Sequence, residues 1–301
     1  MEFEVIIVGG SYAGLQAGMT LGRALRNVLI IDSGKPCNAQ TPHSHNFLTR
    51  DGETPAAITK VALEQLSTYN TVQLLHGKAV HGEKTASGFA ITTEAGDTFT
   101  AKKLMITTGI KDLLPDIPGV AECWGISVIH CPYCHGYEVA NQPTGILGNG
   151  DGGFETVKLI QHWTKDLTLF TNGPSTLTGE MMEQLTRRHI RVIETPLKAI
   201  IHDQGYLSAV ELADDTKVPL KAVYARVPFI QHSDIAAQLG CEFTTSGHIK
   251  VTEFGKTTVE GIYAAGDNCS MLRGVANAVA AGLAAAAFVN REMIWEQFEN
   301  E

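Results

Sequence analysis

The sequence predicts an α/β protein of two Rossmann-like domains, each doubly wound in three layers, with the second domain inserted in the first. Three observations predict it. Two glycine-rich turns, at residues 9–14 and 148–153, each follow a short apolar strand and open a helical stretch. Two crossings, the proline-punctuated residues 113–120 and residues 228–233, bracket the second turn. A late strand ends in Gly266-Asp267 and leads to an alanine-rich helix at about residues 274–288. The chain of 301 residues, 44% hydrophobic, is long enough for two ordinary cores. The expected domains are residues 1–112 with 229–301, and residues 113–228.

Val5-Ile6-Ile7-Val8 is a β-branched run ended by glycine, the pattern of a buried parallel strand. It turns through Gly9-Gly10-Ser11-Tyr12-Ala13-Gly14 into a helix at residues 15–26, and a second strand, residues 27–31, ends at Asp32. Gly9 and Gly14 hold their places in a dinucleotide fingerprint. Ser11 takes the middle place, the smallest change that still lets the backbone approach a pyrophosphate. Asp32 stands where a carboxylate accepts ribose hydroxyls. Residues 33–52 form a loop whose length favours a segment lining the cofactor over a plain surface loop. His43 and His45, two apart with no acid nearby in sequence, make a poor metal site. A helix at 56–69 and a meander of short strands at 72–75, 79–80, 89–93 and 98–100 follow, then a buried strand ending in Thr107-Thr108-Gly109.

His130-Cys131-Pro132-Tyr133-Cys134-His135-Gly136-Tyr137-Glu138 is the reactive stretch. Two thiols three positions apart can close a small disulfide ring. If Pro132 opens a helix, both sulfurs lie near its N-terminus, where partial positive charge favours thiolate. Such a pair also serves as half of a zinc site, but Cys37, Cys123, Cys241 and Cys269 stand alone, so no second half exists and redox use is expected. The four solitary cysteines are expected to be small buried hydrophobes. His135 could relay a proton between sulfur and solvent, or could merely cap the helix end.

The second fingerprint carries all three glycines, Gly148, Gly150 and Gly153, before a helix at residues 154–163. The acid that should follow is missing: Thr171-Asn172-Gly173 offers neither a carboxylate for NAD nor an arginine for NADP. This half either holds a nicotinamide nucleotide weakly or keeps the fold without the ligand. Arg187, Arg188 and Arg191 are read as a solvated face of a helix-like segment. Residues 218–227 read as a strand.

A net charge of -9 and the lack of a basic run argue against a nucleic-acid surface. The longest nearly apolar run is far short of a membrane span. The acidic start is not a secretory signal, and the cysteine usage fits a reducing cytoplasm.

These segments, in this order, resemble the low-molecular-weight thioredoxin reductases over essentially the whole chain. The resemblance implies FAD held by Gly9, Ser11, Tyr12, Ala13, Gly14 and Asp32, with Gln40, His45, Val80, Thr108 and Gly109 in the same cofactor set. It also implies Asp267 on the ribityl chain and Val275 and Ala276 near the flavin pyrimidine. Cys134 then faces the flavin and Cys131 exchanges with substrate, and a homodimer is expected. Two departures, His135 in place of an acid and Thr171-Asn172-Gly173 in place of an arginine-rich motif, make the chain more similar to the branch of gliotoxin- and holomycin-type dithiol oxidases. That branch implies oxidation of a small dithiol with oxygen as acceptor and no need of NAD(P)H. The other reading is a reductase of thioredoxin or another disulfide, driven by NAD(P)H or a protein donor. A non-enzymatic redox-sensing flavoprotein is the third.

Overall fold

The computed structural model describes residues 2–300. The elements in chain order begin with β1 (Glu2–Val8), α1 (Tyr12–Arg23), β2 (Val28–Asp32), α2 (Pro55–Leu66), β3 (Val72–His76), β4 (Ala79–Thr85), β5 (Gly88–Thr93), β6 (Thr98–Ile106) and β7 (Ile110–Asp112). They continue with α3 (Val120–Cys123), β8 (Val128–Ile129), α4 (Pro132–His135), β9 (Thr144–Leu147), α5 (Gly150–Ile160), β10 (Leu167–Phe170), α6 (Gly179–Arg187), β11 (Arg191–Ile193), β12 (Leu197–Asp203), β13 (Tyr206–Leu212), β14 (Lys217–Pro219) and β15 (Ala222–Ala225). The chain ends with β16 (Phe229–Gln231), α7 (Ile235–Gln238), β17 (Ile262–Ala264) and α8 (Val275–Asn300).

The described chain divides into two compact units. Unit 1 holds the residues up to Ala39, Asn46–Lys111 and those from Phe229 onward; unit 2 holds Asp112–Pro228 together with the short excursion Gln40–His45. That excursion lies within the stretch the sequence assigns to the first domain, yet it packs with the second.

In unit 1 the sheet runs β3-β2-β1-β6-β5-β4, with β17 also on β6. Strand β6 serves two partners along one edge: its first half pairs antiparallel with β5, its second half parallel with β17. The strand expected at 98–100 and the one expected over 104–109 are therefore joined in one nine-residue strand that ends at Ile106. The expected meander also loses a member, because β3 pairs parallel with β2 after the α2 crossover. Both faces of the sheet are covered, so successive residues of β1 enter opposite cores. Val5 and Ile7 join Leu21, Met105 and Val289 on one side; Ile6 and Val8 join Ile31, Leu104 and Ile262 on the other.

Helix α8 closes unit 1 against α1. A Cβ at Gly282 would lie 2.2 Å from the Ala13 carbonyl oxygen, so glycine is what lets the two helices touch. The far end of α8 is fixed by charge. Lys103 Nζ reaches Glu292 at 2.7 Å and Glu296 at 2.5 Å, while Lys256 (2.6 Å) and the Tyr263 hydroxyl (2.8 Å) also donate to Glu292.

Unit 2 repeats the design with a parallel sheet β11-β10-β9-β15-β8 and a three-stranded antiparallel sheet β12-β13-β14. Along β15, Val223 and Ala225 enter one core and Ala222 and Tyr224 the other. The strand expected over 218–227 is broken between Pro219 and Ala222, because β14 pairs with β13 and β15 with β8 and β9. Arg187 ends α6, but Arg191 opens β11 and hydrogen-bonds Thr168 Oγ1 at 2.9 Å, so the three arginines do not share one helix.

Candidate active site

The carboxyl ends of β2, β1, β6 and β17 lie side by side in unit 1, the place where an open parallel sheet binds ligands. Gly9 leaves β1 with φ +103°, and a Cβ there would be 2.5 Å from the Thr107 carbonyl oxygen. Gly14 is pressed still closer, since its Cβ would lie 1.9 Å from the Gly9 carbonyl oxygen. Only glycine fits either position. The Thr107 hydroxyl locks the turn by hydrogen-bonding the Gly9 carbonyl at 2.6 Å. Ser11 is the N-cap of α1 but its side chain makes no cap bond, and the first turn carries no acid. The N–H groups opening this twelve-residue helix therefore remain open to an anion, and the helix dipole favours one.

Asp32 sits at the end of β2, its carboxylate aligned by the Gly10 N–H (2.8 Å) and the Gly34 N–H (3.0 Å). At the neighbouring strand ends two buried polar atoms have no partner among the described residues: the Thr108 hydroxyl and the Asn268 side-chain oxygen. Gly109, with φ +65°, has open space where a Cβ would be. Gly266 (φ +93°) delivers Asp267, which pairs with Arg273 at 3.4 Å, and Val275 and Ala276 open α8 just beyond. Tyr12 accepts from the Asn38 side chain at 3.2 Å, and Val80 stands partly exposed on β4. An uncapped helix start, a ribose-ready carboxylate and unsatisfied buried polar atoms along one sheet edge fit a dinucleotide such as FAD. Asn268 and Arg273 were not singled out by sequence, although Asn268 directly follows the expected Asp267.

The reactive stretch lies in unit 2, where Cys131 and Cys134 form a disulfide. Cys131 is the N-cap and Pro132 the first residue of α4, as the proline suggests. The helix stops after one turn. At Gly136 a Cβ would be 2.4 Å from the Pro132 carbonyl oxygen and 2.9 Å from Trp163 Nε1, so Trp163 packs directly against the turn. The same indole meets Tyr133 edge-on at 5.5 Å, and Trp124 stacks on His130 at 5.8 Å.

His135 follows the second sulfur. Burial pushes its pKa below the ordinary histidine value; Glu138 opposes this and His45 reinforces it. His45 Nε2 lies 3.4 Å from Glu138 Oε1. The acid that His45 lacks in sequence is thus supplied from nearly a hundred residues away. Gln40 holds the excursion in place, its side-chain amide donating to the carbonyls of Ala121 (2.9 Å), Glu122 (3.0 Å) and Trp124 (2.8 Å). Gln40 and His45, expected in the cofactor set, are therefore residues of unit 2.

The second glycine turn is built differently from the first. Gly148 and Gly153 pack backbone to backbone, where a Cβ on either would approach the other within 3.0 Å. Asn149 caps α5 by accepting from the Gly150 N–H (2.8 Å), and the same oxygen accepts from the Thr176 N–H (2.9 Å) and hydroxyl (3.1 Å). Its amide nitrogen donates to the Pro174 carbonyl at 2.9 Å. Thr176 stands against Gly150, where a Cβ would be 2.8 Å from its hydroxyl. The Thr171 hydroxyl turns inward to the Gly173 carbonyl at 2.7 Å. Asn149 and Thr176 thus occupy the Gly150 end of this turn, and residues 171–173 offer no charged group to an adenosine ribose.

The remaining cysteines are not alike. Burial pushes the Cys123 and Cys241 thiols up, and burial with the nearby Asp267 carboxylate pushes Cys269 up to about 12. Cys37 is exposed, against the expectation that all four are buried.

The family model for pyridine nucleotide-disulphide oxidoreductases matches residues 3–282. A protein named thioredoxin reductase tcpT, from Claviceps purpurea, is 32% identical, over 97% of this chain and 94% of its own. A structure titled putative thioredoxin reductase TrxB from Bacillus anthracis superposes with a TM-score of 0.93 at 30% identity, covering 98% of this chain and 99% of that one. The structure titled HlmI gives a TM-score of 0.93 at 33% identity, covering 99% and 95%.

Proposed function

From a chain that belongs to the pyridine nucleotide-disulphide oxidoreductase family and is an enzyme of that class, we infer an FAD-dependent oxidase of small dithiols. The observation that carries this reading is the pairing of an intact redox disulfide with a second nucleotide turn closed by Asn149, Pro174 and Thr176. Gly9, Ser11, Gly14, Asp32, Thr108 and Asp267 are the residues that would hold the flavin. When bound, FAD supplies a two-electron acceptor that passes the pair from thiols to dioxygen.

The protein's own residues handle sulfur and protons. A substrate thiolate attacks Cys131, the Cys131–Cys134 bond breaks, and a mixed disulfide forms. The second substrate thiol attacks that sulfur, so the substrate leaves as a disulfide and two cysteine thiols remain. His135 takes and returns the protons. In balance, dithiol and dioxygen become disulfide and hydrogen peroxide. A small dithiol as substrate, a cytoplasmic site of action and a homodimer belong to this proposal. Among the described residues no helix is long and apolar enough to cross a membrane.

The test is stopped-flow flavin absorbance under anaerobiosis. A dithiol should bleach the flavin, air should restore it with peroxide released, and NADPH or NADH at micromolar concentration should leave it oxidised. Rapid bleaching by either nicotinamide would favour a reductase of thioredoxin-like proteins instead.

A further inference from the structure

Residues 40–45 leave the first unit and pack with the second. One anchor is the Gln40 amide, whose two hydrogens are shared among three carbonyls at the end of α3. What the anchor delivers is His45, whose Nε2 meets Glu138 three residues beyond His135. The imidazole is mostly covered, 22% exposed, whereas the carboxylate is 41% exposed. An ion pair with one partner this exposed contributes little to stability. Its location beside a half-buried histidine next to the redox sulfur gives it a different use.

We propose that His45 and Glu138 are the positioning pair for proton transfer by His135, with Gln40 as the clamp that makes residues 40–45 part of the thiol site. The inference rests on the reading of His135 as the proton partner of the cysteine pair. In the step it serves, one S–S bond breaks and another forms. The proton released by the attacking substrate thiol rests on His135 until the departing cysteine thiolate or solvent takes it. Glu138 steadies the imidazolium so formed; His45, held 3.4 Å from that carboxylate, opposes it and keeps the proton from being held too tightly. The titratable groups acting on His135 are Glu138, from the turn behind α4, and His45, from the excursion. From β15, Tyr224 feels Glu138; its buried hydroxyl has no partner among the described residues, and burial with that carboxylate raises its pKa.

The experiment is a histidine-resolved 15N NMR titration of the oxidised holoenzyme, which needs no turnover, paired with the pH profile of anaerobic flavin bleaching by dithiothreitol. In Glu138→Gln the His135 midpoint should fall, and in His45→Gln it should rise, each by roughly half a unit to one unit for a partly screened neighbouring charge. The bleaching profile should move the same way. Gln40→Ala should reproduce His45→Gln without removing any charge. Two variants shifting His135 in the same direction, or neither shifting it while the bleaching rate falls uniformly, would overturn the proposal and leave a structural role only. Opposite NMR shifts in a protein whose flavin no dithiol bleaches would support the pair while removing the oxidase reading, so the two failures are distinct.

Discussion

Cys269 shows how a single side chain can be close to the proposed flavin cradle and still be chemically quiet. It is two residues past Asp267, and that carboxylate together with burial holds the thiol protonated. Cys123 and Cys241 are raised by burial in the same direction. Gentle reduction followed by alkylation at neutral pH should therefore label the Cys131/Cys134 pair and exposed Cys37, while Cys123, Cys241 and Cys269 react only after unfolding; peptide mass mapping checks this. Much at this scale was legible. The glycines at 9 and 14 are demanded by turn sterics acting over a short span of chain. The Gln40 clamp was not, because its three carbonyl partners lie more than eighty residues away and no spacing announces an amide that will meet them. Glu138 was within the stretch singled out, yet its partner His45 could be seen only in three dimensions.

Among the elements, α8 is tied down by two buried cations, Arg26 through Asn290 and Gln297 and Lys103 through its carboxylates. Lys103 is held in the core face of β6 by Glu292 and Glu296, and burial of Glu292 is outweighed by hydrogen bonds from Lys103, Lys256 and Tyr263, leaving its pKa at about 2. The folded-state value lies below the ordinary 4.5, so the stabilisation is complete above that pH and is lost as pH falls from there toward about 2. Glu292→Gln should lower stability by about 1–3 kcal/mol at pH 7, discounted for partial exposure. Denaturant midpoints should show the difference from wild type shrinking as the pH drops toward the folded value. Strand identity was readable from β-branched runs, but strand partners were not. β3 became a parallel edge because α2 returns the chain across the sheet, and β6 spans two partners far apart in sequence, β5 ending at Thr93 and β17 beginning at Ile262.

On the scale of the whole molecule, two similar sheets carry unequal nucleotide turns, one open at its helix start and one closed by its own asparagine. Flavin held only by the folded first unit should raise the melting temperature of the apoprotein, by the equivalent of about 2.7 kcal/mol when FAD is at a hundred times its Kd. Gly14→Val and Asp32→Ala should abolish that rise while NADPH produces none in wild type; calorimetry decides. The inserted arrangement was legible because two crossings flank a complete second fingerprint. The return of residues 40–45 was not, since nothing in composition marks six residues that change sides. The order of synthesis gives the insertion one more meaning. By the time Pro228 has emerged from the ribosome every strand around the reactive sulfurs exists, whereas β17, Asp267 and the helix that seals α1 are still unmade. The nascent protein can thus enclose its oxidisable pair before it owns a place for the electron acceptor, and cofactor capture must await the last seventy or so residues.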